Sequence, residues 1–239
     1  MLALYHFGPV SNSMTPLLCL KEKGLDFEDR YLNSSKFEHH EPAFLKLNPE
    51  GMVPVLVNDD DVITESTVIN EYIDEVFPQT PLKPATPKGR ALMRQWTKYC
   101  DEYFYPAITM MGANFATSFA SKWEEAQKQK VLAGIPNDEV RKKWEHVTSK
   151  GYTEAELEES RRKVRTVIEK MEKRLAATGA WLAGTYSLAD IKNYSFAQHV
   201  ERSVPDALTE AKTPRAFEWL RKMDERPAVK ACKAMARPR

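Results

Sequence analysis

Gly51-Met52-Val53-Pro54-Val55-Leu56 is the stretch on which the fold turns. Proline lacks the N–H that a sheet ladder needs, so it sits poorly inside a strand. At the opening of a strand, soon after a glycine, it is where a cis peptide becomes reasonable. A cis bond at Val53–Pro54 would turn the Val53 N–H and C=O away from the sheet, free to pair with an extended peptide. Taken alone, the six residues fit an ordinary trans proline at a strand edge better.

Working outward, Val53–Val57 reads as a strand, Asn58-Asp59-Asp60-Asp61 as a turn and Val62-Ile63-Thr64 as a second strand. From Ser66 the apolar Ile69, Tyr72, Ile73 and Val76 follow helical spacing. Upstream, residues 2–7 form a short buried strand. Ser13 can cap a helix running to Lys23, with Gly24 just past its end and Pro16 in its first turn. Phe27–Leu32 is another strand, and Ala43–Leu47 a short helical piece. The order is β-α-β-α-β-β-α.

Downstream, Pro78, Pro81, Pro84 and Pro87 mark a linker, and beyond it strand signals vanish. Helical periodicity covers Gly89–Ala120, Glu154–Ala177 and Leu188–Arg202, with shorter helices at Pro214–Met223 and Ala228–Ala236. Leu157, Val164, Ile168, Met171 and Leu175 make the clearest apolar stripe. Residues 121–153 are charged and weakly periodic, an insertion that could serve as a lid. The expected architecture is an α/β domain over 1–79, a linker over 80–88 and an all-α domain over 89–239.

Hydrophobic residues are 42% and charged residues 29% of the 239, enough apolar mass for a real core. Lys+Arg total 35 against 34 Asp+Glu, so the formal charge of +1 gives no reason to expect nucleic acid or an anionic membrane as partner. The N-terminus reads as a strand and not as a signal peptide. Cys19, Cys100 and Cys232 are far apart and share no metal or redox spacing. A disulfide framework or zinc site is therefore not expected, and a reducing cytoplasm is.

Glu65-Ser66 stands immediately before a helix, eleven residues after Pro54. A serine beside the free N–H groups of a helix start makes an anion site, unless it is a plain N-cap. A neighbouring carboxylate makes sense if the ligand end is a zwitterionic amino acid. Ser66 would take its carboxylate, and Glu65 would lie near its ammonium.

These residues resemble the glutathione transferases, which join a thioredoxin-like domain (βαβαββα) to a helical-bundle domain through a proline-rich linker. The matching stretches are Asn48–Leu56, Thr64–Ile69 and Tyr186-Ser187-Leu188-Ala189-Asp190-Ile191. The last also reads as a capping box, Ser187 at the N-cap and Asp190 at N3, with Tyr186 and Ile191 as hydrophobic staple. The family uses it for folding, so no catalysis is assigned to it. The resemblance implies glutathione as co-substrate, held at Met52, Val53, Pro54, Glu65 and Ser66, with His40 on its glycine carboxylate. His39 and Lys36 are further candidates for that contact. The first helix carries Ser11-Asn12-Ser13-Met14 in place of CxxC, which leaves the nucleophile to glutathione. A thiol of pKa about 8.5 is mostly protonated at neutral pH. A donor at a helix N-terminus favours the thiolate. Ser13 is the first choice for that donor, then Asn12, then Ser11. Helix capping competes for the Ser13 hydroxyl.

A narrower resemblance is to bacterial glutathione-dependent β-etherases. Phe7–Ser13, Ser35–Glu38, Val62–Ile69 and Met93–Phe104 are similar to one such type, as is the insertion with Arg141-Lys142-Lys143-Trp144. Residues 105–120 and the chain from 205 onward depart from it, which leaves substrate and stereochemical preference open. The resemblance implies attack of glutathione thiolate on the carbon between a ketone and an aryloxy group. A phenoxide leaving group, with pKa about 10, needs at most a hydrogen-bond donor and not a strong acid. Tyr99, Tyr103, Phe104, Met111, Phe115 and Trp144 are the candidates for an aromatic electrophile pocket, although core packing explains the helical ones as well. A homodimer is expected, with a heterodimer as the variant. Competing readings are a transferase or dehalogenase acting on other electrophiles, and a non-catalytic interaction module. A glutaredoxin-like reductase lacks its cysteine.

Overall fold

The structure is a computed structural model that describes residues 1–237, apart from the side chains of residues 113–119. The N-terminal part runs β1 (Leu2–His6), α1 (Ser11–Glu22), β2 (Glu28–Tyr31), two 3-10 turns (Ser34–Lys36 and Glu38–His40), α2 (Pro42–Leu45), β3 (Val55–Asn58), β4 (Asp61–Ile63) and α3 (Ser66–Val76). The sheet order is β2-β1-β3-β4. β1 pairs in parallel with β2 and antiparallel with β3, which pairs antiparallel with β4. Leu4 and Leu56 face each other in the ladder and are fully buried.

The Val53–Pro54 peptide is cis. β3 begins at Val55, so Val53 takes no part in the ladder. Asn48 holds the approach to it, donating from Nδ2 to the Met52 carbonyl at 2.8 Å and accepting the Glu50 N–H at 3.1 Å.

The helical part runs α4 (Pro87–Tyr99), a π-helical segment (Cys100–Phe104), α5 (Tyr105–Ala120), α6 (Glu125–Gly134), α7 (Asp138–Ser149), α8 (Glu154–Thr178), α9 (Leu188–Ala197), α10 (Val200–Ser203), α11 (Pro214–Glu225) and α12 (Pro227–Ala234). Three expectations need correction. The long helix over 89–120 is interrupted by the π turn. The helix over 188–202 breaks at Gln198 and His199. The weakly periodic segment 121–153 carries two helices that bury Leu132, Ile135 and Val147.

α9 is the central element. Its ten residues are all buried, and it packs against α1, α3, α4 and α11. The capping box at its start is present as read, and Asp190 does more than cap. Its carboxylate also accepts the Leu182 N–H at 3.0 Å and Trp219 Nε1–H at 2.9 Å. The two halves of the chain are joined by buried polar contacts. Thr15 donates to Ser195 at 2.9 Å, Tyr186 donates to Glu22 at 2.7 Å, and Arg226 bridges to Glu22. Among the described residues, no helix is long and apolar enough to cross a membrane.

Candidate active site

Among the described residues, four non-glycine residues have positive φ: Ser11, Phe37, Asp59 and Glu65. Such backbone is costly and collects at functional sites. Asp59 belongs to the β3–β4 turn. Ser11 opens α1, Phe37 joins the two 3-10 turns, and Glu65 precedes α3. Ser11 and Phe37 both line a cavity of about 400 Å³ between the sheet domain and the helices.

The floor of this cavity is the start of α1. The helix begins at Ser11, with Val10 as N-cap and no side-chain cap. Ser13 is therefore the third helical residue and caps nothing, contrary to the sequence reading. Its hydroxyl, 3% exposed, accepts the Phe7 N–H at 3.1 Å and keeps its hydrogen free to donate. Ser11 and Asn12 line the cavity beside it. Ser66 is likewise not an N-cap but the first residue of α3. Its hydroxyl donates to Asn12 Oδ1 at 3.3 Å, so the two helix starts meet. Glu65 is exposed just outside them.

Met52 and Val53 form one side of the cavity, and His39 and His40 another. The two imidazole rings lie 4.0 Å apart. Burial lowers both pKa values, that of His39 to about 3 with a smaller contribution from His40. Both rings are neutral at neutral pH, so either would hold a carboxylate as an N–H donor and not as a cation. Lys36 lies on an exposed 3-10 turn and does not line the cavity; Lys143 on α7 does. Gly51 sits under this corner. A Cβ there would come within 2.9 Å of the His40 ring and 3.0 Å of Pro136.

The far wall comes from α5 and α7: Tyr105, Thr109, Gly112, Val140, Trp144 and Val147. Burial, then the charges of Glu65 and Asp101, raise the Tyr105 pKa, so its hydroxyl stays protonated and can donate. Phe37 meets Trp144 edge-on at 5.9 Å and Trp123 at 6.0 Å, and the two indoles stack. The cavity thus joins a backbone edge and helix-start donors to an aromatic box.

Residues 1–75 match the glutathione S-transferase N-terminal domain, and residues 115–227 the glutathione S-transferase C-terminal domain. This chain belongs to the glutathione S-transferase family. It is a glutathione-dependent enzyme of that family. Protein LigF of Sphingobium sp. strain SYK-6 is 39% identical over 96% of this chain and 91% of its own length. The crystal structure of that protein, described as a β-etherase, superposes with a TM-score of 0.92 at 38% identity, covering 98% of this chain and 99% of the other. Glutathione transferase F7 of Populus trichocarpa superposes at 0.72 with 27% identity over the full length of both chains.

Within this transferase the pocket candidates separate. Trp144 lines the main cavity. Met111 lines an adjoining one of about 610 Å³ that shares Ser11, Thr109 and Gly112. Tyr99 and Tyr103 are not in either. Their rings lie tilted at 4.9 Å on another flank, with Lys170 Nζ 3.4 Å above the Tyr99 ring, and they line a groove with Met110 and Lys163. Phe104 is fully buried against Phe196. Phe115 lies outside the described residues. Ordinary helical spacing separates these candidates. Residues 99, 103, 106 and 110 then share one face, and 105, 109 and 112 another. Tyr105 and Thr109 share a helix face that the sequence does not distinguish from core, and Phe37 and Val140 lie in a turn and in the insertion.

Proposed function

We propose that this transferase is a β-etherase that cleaves β-aryl ether ketones of the kind released from lignin. The observation that carries the reading is the single cavity with thiolate-stabilising donors on its floor and an aromatic box on its far wall. Glutathione would lie extended along Val53, its α-carboxylate at the start of α3 with Ser66, its ammonium near Glu65 and its glycine end toward His40. Its sulfur would lie at the start of α1. Ser13 is the first donor to it, because the Phe7 N–H fixes the hydroxyl and leaves only its hydrogen to turn outward. Asn12 and Ser11 flank it. Each unit by which the thiol pKa falls needs about 1.4 kcal/mol, roughly one charge-assisted hydrogen bond.

The thiolate attacks the carbon bonded to the aryloxy oxygen and next to the ketone. A C–S bond forms, the C–O bond breaks, and the phenoxide leaves with the electron pair. Tyr105, protonated and lining the cavity, would donate to that oxygen, and solvent would replace the proton. The products are a glutathione thioether and a phenol. Positioning supplies much of the rate gain. Trp144 and Phe37 would enclose the aryl group, with Trp123 stacked on Trp144. Similarity to LigF over nearly the whole chain supports this reading over other electrophiles.

We place the enzyme in the cytoplasm, consistent with three buried free thiols. Burial pushes all three pKa values up, that of Cys232 to about 12. We also propose a homodimer, which sedimentation tests. For the activity, the protein is incubated with glutathione and a β-aryl ether ketone, with a chlorinated aromatic in a parallel reaction. Phenol release with thioether formation is expected in the first. Conjugation of the chloride alone would favour a general transferase, and failure to bind glutathione would favour a non-enzymatic module.

A further inference from the structure

Lys192 has no task in the reaction described above, yet its ammonium sits where the starts of α1 and α3 meet. It projects from α9 of the helical domain, and its side chain is 1% exposed. Nζ reaches Asn12 Oδ1 at 2.9 Å, Ser66 Oγ at 2.8 Å and Asp101 Oδ1 at 2.7 Å. An ammonium has three donors and no acceptor, so these three oxygens use it fully.

This has consequences for both partners. Asn12 can only present its carbonyl oxygen to Nζ, because two donors cannot pair. Its amide orientation is therefore fixed by chemistry, and the Nδ2 hydrogens are left for the cavity that Asn12 lines. At Ser66 the ammonium occupies a lone pair, so the hydroxyl hydrogen must point elsewhere. It goes to Asn12 Oδ1 over a long 3.3 Å, a contact that a carboxylate at the start of α3 would replace.

We propose that Lys192 is a positioning residue for glutathione, holding Asn12 and Ser66 with their donors turned toward the two anionic ends of the tripeptide, the thiolate and the α-carboxylate. A buried ammonium without compensation would be costly. Asp101 supplies the counter-charge from the π-helical segment, where Thr67 Oγ1 fixes its other oxygen at 2.7 Å. Asp101 is 40% exposed and so partly screened by water, whereas Lys192 is not. The other groups facing this centre are Glu65 before α3, the protonated Tyr105 at the start of α5, the protonated Cys100 bonded to the Lys192 carbonyl, and the Phe196 ring on α9. α1 brings the neutral Asn12 to it.

The inference rests on glutathione being the ligand. The test uses the full-length protein and its Lys192→Met variant, with Lys192→Gln as a second variant should the first not fold. Glutathione affinity is read by calorimetry, and the pKa of the bound thiol from the ultraviolet absorption of its thiolate against pH. The variant should bind glutathione about tenfold more weakly and raise the bound thiol pKa by about one unit, a tenfold loss of thiolate below that pKa. Wild-type affinity and thiol pKa in the folded variant would overturn the inference. Weaker binding with an unmoved thiol pKa would also overturn it, as the mark of lost packing alone. If the unaltered protein itself fails to bind glutathione, the functional reading fails first.

Discussion

The ring of Phe37, in the turn between β2 and α2, meets the ring of Trp144 on α7 edge-on at 5.9 Å. This contact closes the 121–153 segment onto the sheet domain. Pro136 and Asn137 reinforce it, the first packing toward Gly51 and the second donating to Glu50. The insertion is thus a docked wall of the cavity, and the aromatic box exists only where the two domains meet.

Trp144→Ala should open that box. The edge-to-face and stacked contacts are worth about 1 kcal/mol or more beyond area. We expect kcat/KM for the β-aryl ether ketone to fall about tenfold or more, with glutathione affinity changed less than about threefold. Steady-state kinetics with glutathione calorimetry checks this. Equal loss of both would place Trp144 in the glutathione site.

Ser13→Ala should lower turnover by about a hundredfold, in the range seen on removing one donor to a developing charge. The KM for glutathione should change far less. The variant also leaves the Phe7 N–H without its acceptor, which costs about 1–2 kcal/mol of stability. Parallel kinetics and denaturant unfolding separate the two effects. Equal losses in turnover and glutathione affinity would make Ser13 a binding residue only.

Gly51→Ala meets two obstacles, a φ of +63° and contacts at 2.9 and 3.0 Å with His40 and Pro136. Stability should fall by about 1 kcal/mol or more, and the glycine end of glutathione should bind more weakly. Thermal unfolding and calorimetry read both. An unchanged melting temperature would show that the 136–137 corner gives way freely.

Asp190 is fully buried, and burial pushes its pKa up to about 6 despite donors from Leu182, Trp219 and Ser187. An unfolded aspartate titrates near about 3.9. The folded state therefore binds the proton more tightly. The stability this group contributes is complete below about pH 4 and lost as pH rises through about 6. Asp190→Asn cannot ionise, so the stability difference between wild type and variant should shift against wild type by about 3 kcal/mol over that window. Asparagine has one acceptor oxygen for several donors, so the variant is also less stable at low pH. Denaturant unfolding at pH 4 and pH 7 gives both values. A pH-independent difference would mean that the donors hold Asp190 ionised throughout.

Local chemistry made much of this chain legible. Alternation, turn residues and the proline run mark the four strands, α3 and the linker. The Ser187–Asp190 box reads directly because a cap depends on residues three apart. The same pattern at Thr153 and Glu156 caps α8. Ser11, Asn12, Ser13, Met52 and Val53 converge because short loops tie them to one sheet.

What sequence could not supply is the facing of helices and the use of long-range polar contacts. A helical stripe shows which residues share a face, but not which partner the face meets. Packing puts Tyr99 and Tyr103 on another flank, Phe104 in the core and Tyr105 in the cavity. Lys192 is 180 positions from Asn12 and 126 from Ser66, and nothing in its neighbours along the chain marks it off from an ordinary helix lysine. The sequence by itself determined the elements and the family chemistry, because these follow from neighbours within a turn or two. Only tertiary packing decided the aromatic wall and the buried ammonium, because burial and charge pairing belong to residues that meet across domains.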